Sequence, residues 1–374
     1  MGSNGSKSST AKASTAPAPD DDRKPDTPAQ IDKPSWKYIA KKTLREFSKD
    51  QCPDLAAALT YHAVLAVFPA LLALVSLLGV VGQAEKTTTA ALDVVAKLVP
   101  ASTVDVIKGP LTQLTHSSSA GLALVGGILV ALWSASGYVG AFSRAMNRIY
   151  EIDEGRPFWK LRPIMLAVTA LAIVLVAVMG LMLVLSGPIA QAVGDSIGLG
   201  SAAVLVWNIV KWPVLLILVV IVIAILYYAT PNVQQPKFRW MSIGSLISLV
   251  IFILASLGFA IYVANFSHYN KTYGTIGGAI VVLLWLWILN MSLLFGAEFD
   301  AEMERGRELQ AGIPAEESIQ LPPRDTRQSD KRQAQEDEEV TRGREIRESA
   351  AADGAEKNAG ERPSGKAGSQ PPRK

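Results

Sequence analysis

Residues 202–228 read AAVLVWNIVKWPVLLILVVIVIAILYY, and Lys211 is the one charged side chain among them. A bilayer's hydrocarbon core is about 30 Å thick, and about 20 apolar residues cross it as a helix. The stretch is long enough to span. Five others resemble it: Leu55–Val81, Leu122–Phe142, Ile164–Leu185, Trp240–Ala264 and Ile276–Phe299. The sequence therefore predicts an all-α, polytopic membrane protein. Its fold is a six-transmembrane-helix bundle over 53–305, with spans at about 55–81, 122–142, 164–185, 202–228, 240–264 and 276–299.

The charges between these runs set an orientation. Lys37, Lys41, Lys42, Arg45 and Lys49 precede the first run. Arg144, Arg148, Arg156, Lys160 and Arg162 lie between the second and third, Lys237 and Arg239 between the fourth and fifth, and Arg305 and Arg307 follow the sixth. The alternate loops carry only Lys86, Lys97, Lys108 and Lys271. Lys and Arg collect on cytoplasmic loops, so both termini are expected inside. An odd number of spans would break this alternation. The first run starts near residue 55 and is too long for the apolar core of a cleavable signal peptide. Cys52, the single cysteine, rules out an intramolecular disulfide.

Outside the spans the chain changes character. Residues 1–35 are rich in Ser, Ala, Pro and Asp and read as a disordered tail, because they hold too little apolar surface to offset chain entropy. Residues 36–52 read as an interfacial amphipathic helix, with Trp36, Ile39, Ala40, Thr43, Leu44 and Phe47 on one face. It would orient the first span at the membrane surface; a lipid-sensing role is the other reading. The loop 83–120 is too long for a turn. Ala91, Val94, Val95 and Leu98, then Val104, Ile107, Leu111 and Leu114, follow helical spacing, which predicts a small external helical subdomain between helices 1 and 2. Residues 306–374 are highly charged and predict a mostly disordered cytoplasmic tail.

Polar residues inside spans are costly and therefore informative. Asp54 at the start of the first run suits a helix N-terminus. Tyr61 and His62 lie two turns on and are read as facing the bundle interior beside a cavity. Packing against a hydrogen-bond partner is the plainer account of His62, and a proton relay the other. Pro69 is expected to kink the helix. Lys211 lies about 13 Å in from the outer end of its run at 1.5 Å per residue. It either snorkels outward or faces a polar cavity that attracts anions. Glu298 near the end of the last run is expected at the interface, and paired. Small residues such as Gly127, Ala131 and Ala135 read as helix-packing positions.

Four stretches together resemble the YihY/BrkB family of bacterial inner-membrane proteins, over about Trp36 to Arg305. They are Asp54–Tyr61 through Phe68-Pro69; Ala145-Met-Asn147-Arg-Ile-Tyr150; Leu226-Tyr227-Tyr-Ala-Thr-Pro231-Asn232; and Gly258-Phe-Ala-Ile-Tyr262 through Tyr273-Gly274, followed by Leu283–Trp287 and Gly296-Ala-Glu298. The resemblance implies six membrane helices with both termini inside, in the bacterial inner membrane. Its members carry labels that range from ribonuclease BN to virulence factor, and some are linked to envelope lipid or anion transport. It transfers no catalytic residue.

The polar set singled out is Asp54, Tyr61, His62, Pro69, Asn147, Lys211, Tyr227, Pro231, Tyr262, Tyr273, Gly274 and Glu298. The chain is expected to be a transporter or translocator of a lipid or an anionic small molecule, with the bilayer as its partner and a homo-oligomer as an open state. A non-transporting envelope scaffold is the alternative. Ribonuclease chemistry would want clustered histidines and carboxylates. His62, His116 and His268 are scattered, so no enzyme, nucleic-acid partner, metal or cofactor is expected; there is no phosphate-binding loop or cofactor fingerprint.

Overall fold

The computed structural model describes residues 9–80, 120–184, 201–236, 238–265 and 269–360, with side chains over 12–66, 129, 132–183, 203–236, 243–264 and 277–353. The described residues are helical. A short α1 (Ser9–Thr15) and a 3-10 turn at Pro28–Gln30 lead into α2 (Lys33–Lys49). Six long helices follow: α3 (Cys52–Val80), α4 (Ala120–Ile149), α5 (Phe158–Val184), α6 (Ser201–Ala229), α7 (Phe238–Asn265) and α8 (Tyr269–Gln310). A last helix, α9 (Arg327–Gly360), is polar throughout. Among the described residues there is no β-strand, only one bridge between Val233 and Pro323.

Among these residues, four helices are long and apolar enough to cross a membrane: Phe158–Leu183, Ala203–Ala229, Ile243–Ala264 and Gly277–Gln310. Helices α3 and α4 are of similar length, 29 and 30 residues, but many of their side chains lie outside the described set. So does the loop 83–120, where the external subdomain was expected. Pro213 does not break α6, which runs through it as one helix.

The six long helices close a ring. Each of α3 to α7 packs on the next, and α8 returns to α3. The start of α3, the end of α4, the start of α5, the end of α6, the start of α7 and the end of α8 share one end of the bundle. Among the described residues the main hydrophobic core lies there. It joins Cys52, Ala56 and Leu59 to Phe142, Met146, Met165, Val168, Leu226, Tyr227, Leu294 and Ala297. We call this the capped end.

Local signals explain how the chain turns there. The Asp32 side chain accepts from Ser35 N at 2.8 Å and caps α2. Gln51 (φ 55) ends α2 and lets α3 start at once, and Glu151 (φ 51) turns the chain out of α4 into the loop before α5. Ile152 N then donates back to Asn147 O at 2.9 Å, closing that terminus. At the end of α8, Gly312 takes φ 73, which costs a glycine little, and Ile313 N donates to Glu308 O at 2.9 Å.

Three segments outside the spans meet at this end. In α2, Ile39 and Thr43 are buried and Trp36 and Phe47 pack on α8, whereas Ala40 and Leu44 are exposed. Residues 12–31 lie against the bundle. Lys12, Lys24 and Ile31 are buried against the loops and the end of α8. The stretch 306–326 packs as a strap across the capped end, with Ile313, Ala315, Ile319 and Leu321 buried, and 327–360 is helical. Composition gave each segment too little apolar surface to fold alone. The acidic side chains of α8 and the carbonyls of two loops supply partners that composition does not count.

Candidate functional site

The capped end is held by polar contacts between three segments distant in sequence. Asn147 at the end of α4 accepts from Asn232 N at 2.7 Å and donates to Glu154 at 2.9 Å. Asn232, in the loop after α6, donates through Nδ2 to Asp153 O at 2.9 Å and Asp325 O at 2.8 Å, and accepts from Asp325 N at 3.2 Å. Its carbonyl accepts from Arg324 N at 3.0 Å, while Gln234 N donates to Pro322 O at 2.8 Å. The strap thus pairs with the α6–α7 loop over a few residues. Arg156 fastens the third side: it donates to Glu154, to Ser143 Oγ at 3.2 Å and to Thr230 O at 2.6 Å. Gly155 lies so close to Asp325 that a Cβ there would overlap its carbonyl. Buried backbone groups need partners, and here the two Asn side chains supply them.

An ionic layer covers this knot. Lys24 sits between Glu304 at 2.7 Å and Glu308 at 3.5 Å, with its side chain fully buried. Arg307 pairs with Glu304 and donates to Pro25 O at 3.0 Å. Arg305 joins Glu302 at 3.0 Å and Glu151 at 3.1 Å and donates to Ala315 O at 2.9 Å. Lys12 Nζ reaches Glu151 O at 2.9 Å, and burial lowers its pKa against the pull of Glu151 and Glu308. On the outer side of the layer the Arg327 and Lys160 cations hold the Asp325 carboxyl below its ordinary range. The charges are mutually compensated, as buried ions must be.

One level deeper the helices exchange side-chain bonds. Tyr138 of α4 donates to Asn290 Oδ1 at 2.8 Å, and Asn290 of α8 donates to Thr60 Oγ1 of α3 at 3.1 Å. Tyr138 stacks on Phe142, which stacks on Tyr227, and Tyr227 donates to Leu293 O. Helices α7 and α8 meet at Gly244 and Gly296. The Asp300 carboxylate accepts from Gly244 N at 2.8 Å, and a Cβ on Gly244 would occupy its place. Glu298 is buried with one oxygen 4.0 Å from Cys52 Sγ; its Oε1, like Asp300 Oδ2, has no hydrogen-bond partner.

Of the residues singled out in the sequence, Asn147, Tyr227, Pro231 and Glu298 come together at the capped end and are buried. Asp54 is exposed in the first turn of α3. His62 is half-buried, facing Gly137 of α4. Tyr61 is 63% exposed and touches the His62 ring edge-on. Tyr262 is exposed near the opposite end. Lys211 is buried, 5% exposed, with Nζ 3.0 Å from Asn208 Oδ1 and close to the Trp212 ring. The side chains of Pro69 and Tyr273 lie outside the described residues; Gly274 falls in the second turn of α8. Sequence reasoning missed Arg156, Asn232, Asp325, Lys24 and Glu304 as structural contacts. Arg156 had been counted only as a topology signal.

The far halves of the helices are different. From Gly278 to Trp285, two turns of α8, every residue but Val281 is exposed. Leu254, Leu257, Ile261 and Tyr262 of α7, Leu205, Ile209, Trp212 and Leu216 of α6, and Val174, Val178 and Leu181 of α5 are exposed too. The exception is one stripe of α6: Val204, Lys211 and Leu215. Trp285 at the end of this stretch meets the Phe252 ring of α7 at 5.6 Å. Among the described residues, buried side chains concentrate at the capped end, and the far halves of α5 to α8 carry many exposed apolar side chains.

Comparison with known proteins adds a family. The "Virulence factor BrkB" family matches residues 43–319, so the matched region runs through the first half of the strap. The ribonuclease-like protein YfkH of Bacillus subtilis is 30% identical over 68% of this chain and 90% of its own length. UPF0761 membrane proteins of Alkalilimnicola ehrlichii and Ralstonia nicotianae are 30% and 26% identical over 70% and 72% of this chain. The chain spans only 56% and 59% of those two relatives. No solved structure matches it.

Proposed function

The chain belongs to the virulence factor BrkB family, and on that footing we propose that it is a six-span inner-membrane translocator of a lipid or anionic amphiphile. Both termini lie on the cytoplasmic side in this reading, so the capped end is the inner one. The observation that carries it is the uneven packing of the bundle. Among the described residues the core lies at one end, while at the other many apolar side chains of α5 to α8 are exposed. Uncovered apolar walls suit an acyl chain better than a hydrated ion. A cation in that half, Lys211 beside Asn208, suits an anionic head. Polar residues within a bundle mark substrate paths often enough to make this the leading reading.

Purified chain reconstituted into vesicles with fluorescent phosphatidylglycerol in both leaflets tests it. Membrane-impermeant dithionite should bleach label beyond the fraction reached in protein-free vesicles. Bleaching equal to protein-free vesicles, for this lipid and for labelled phosphatidylethanolamine, refutes lipid translocation. A reporter fused after Arg307 should be cytoplasmic; an external signal refutes the orientation.

A scaffold is the second reading, and α9 favours it. From Lys331 to Asp353 every side chain of this charged helix is exposed, leaving it available to a partner. The ribonuclease wording of the Bacillus relative is not carried over.

A further inference from the structure

We propose that the outward face of α2 is a binding site for anionic phospholipid in the leaflet at the capped end of the bundle. Three observations meet there. The first is depth. Trp36 stacks on Phe299 and Phe47 packs edge-on against Phe295, with ring centroids 6.2 and 5.5 Å apart. Phe295 and Phe299 are where the apolar run of α8 ends. Helix α2 is therefore fixed at the level of the headgroups rather than free in solution.

The second is charge. Lys37, Lys41 and Arg45 recur at every fourth position and are exposed, so they form one stripe about 12 Å long at 1.5 Å per residue. Glu46, the single acid of the helix, turns the other way and is held by Lys42 and Lys49, each at 2.7 Å. The stripe thus carries three cations and no acid. The third is apolar surface beside the charge. Leu44 is 63% exposed and Tyr38 is 37% exposed, on either flank of the stripe. Helix α2 already buries its inner apolar residues against α8, so these two are surplus to docking. A helix with basic and apolar residues on one free face at headgroup depth fits a lipid surface. The surface does not depend on whether the bundle translocates anything.

Lipid selectivity of the full chain in bilayers is the test. Spin-labelled phosphatidylglycerol and spin-labelled phosphatidylcholine are compared for the fraction immobilised by the protein. The wild type should favour phosphatidylglycerol at low salt. Each neutralised cation should weaken that preference at this site by about fivefold, from about 1 kcal/mol per Lys or Arg near an anionic surface. The triple variant Lys37→Gln, Lys41→Gln, Arg45→Gln should lose it, and high salt should mimic the variant. Lys37→Arg, Lys41→Arg should keep it, and so should Lys331→Gln, Arg342→Gln, Arg344→Gln on α9. Helical circular dichroism confirms that each variant is folded. Equal selectivity in the wild type and the folded triple variant overturns the proposal. So does loss of selectivity in the arginine variant, which would show that packing rather than charge was changed. A stripe that instead mediates self-association, seen as a triple variant with unchanged lipid selectivity but a smaller cross-linked species, overturns it as well.

Discussion

Truncating Asn232 should loosen the strap without unfolding the bundle. Its side chain makes three bonds to backbone groups, to Asp153 O, Asp325 O and Asp325 N. At a net worth of about 1 kcal/mol each, Asn232→Ala removes about 3 kcal/mol from the contact between the strap and the two loops. The Asn147 bond to Asn232 N survives, because it uses the backbone. The core of Phe142, Tyr227 and Leu294 is untouched. The loss is therefore local, and a loss of about 3 kcal/mol corresponds to about a hundredfold more frequent opening. Hydrogen exchange of amides over 319–325 should accelerate by that factor in detergent-solubilised protein, while those of α8 over 290–300 stay protected. Exchange over 319–325 within twofold of wild type in a folded variant would show that the strap is held by its buried Ile319 and Leu321 rather than by Asn232.

Further outcomes follow from the same contacts. Gly244→Ala should cost about 1–3 kcal/mol by overpacking, since the new Cβ takes the place of the Asp300 carboxylate; a thermal midpoint equal to wild type would refute the close α7–α8 contact. Tyr138→Phe should cost only about 0.6 kcal/mol, the average for such bonds between membrane helices, and a loss of all folded protein would contradict that. Burial, reinforced by Glu46 and Glu151 and opposed by Arg148 and Lys49, pushes the Asp50 carboxyl up to about 6 from its ordinary 3.8. The folded chain then binds this proton more tightly than the unfolded one. Asp50 should therefore destabilise fully above pH 6, and the cost should fade as pH drops through 6 toward 4. Asp50→Asn should be more stable than wild type at pH 7, with the gap closing by pH 4; a gap independent of pH would refute the assignment.

The apolar runs made the helices legible. Helices α5 to α8 lie where 164–185, 202–228, 240–264 and 276–299 were read, because a run long enough to cross a bilayer has few other stable forms. Their ends were less legible. Helix α8 runs from Tyr269 to Gln310, well past its apolar stretch, since Glu304 and Glu308 find Lys24 on another segment, Glu302 pairs with Arg305 one turn on, and none of them ends the helix. The site was legible only in pieces. Asn147, Tyr227 and Pro231 stood out in short motifs, but their meeting with Arg156 and the strap depends on long-range contacts that have no sequence period. The surroundings of Tyr61 had no sequence signal either: it sits about two turns into α3, is 63% exposed and has the His62 ring beside it.

The division between the two ends constrains where any movement can occur. At the capped end the helices share an apolar core, and separating them would expose Phe142, Tyr227 and Leu294 together. The strap is attached differently. It contributes Ile319 and Leu321 to that core, and its polar holds are Asn232, Arg324, the pairing near Val233 and bonds to Arg305, Glu151 and Glu308. Polar contacts of this kind are replaced by water when the segment lifts, whereas the helices would leave apolar surface uncovered. The cheapest opening of the inner end is thus release of the strap with the helices in place. Lys24 and Arg307 add a second lock, because the N-terminal segment covers the ion pairs of α8 only while it stays docked. Lys24→Ala should leave Glu308 without the cation that lies 3.5 Å away and Glu304 paired with Arg307 alone. Removing one partner of a buried ion pair costs about 3–5 kcal/mol, and undocking of residues 12–31 relieves that by admitting water. Limited proteolysis should therefore cut Lys24→Ala within 12–31 much faster than wild type, with the helices intact. If the helices unfold at the same protease concentration, the segment is part of the core and the lock is not separable from it.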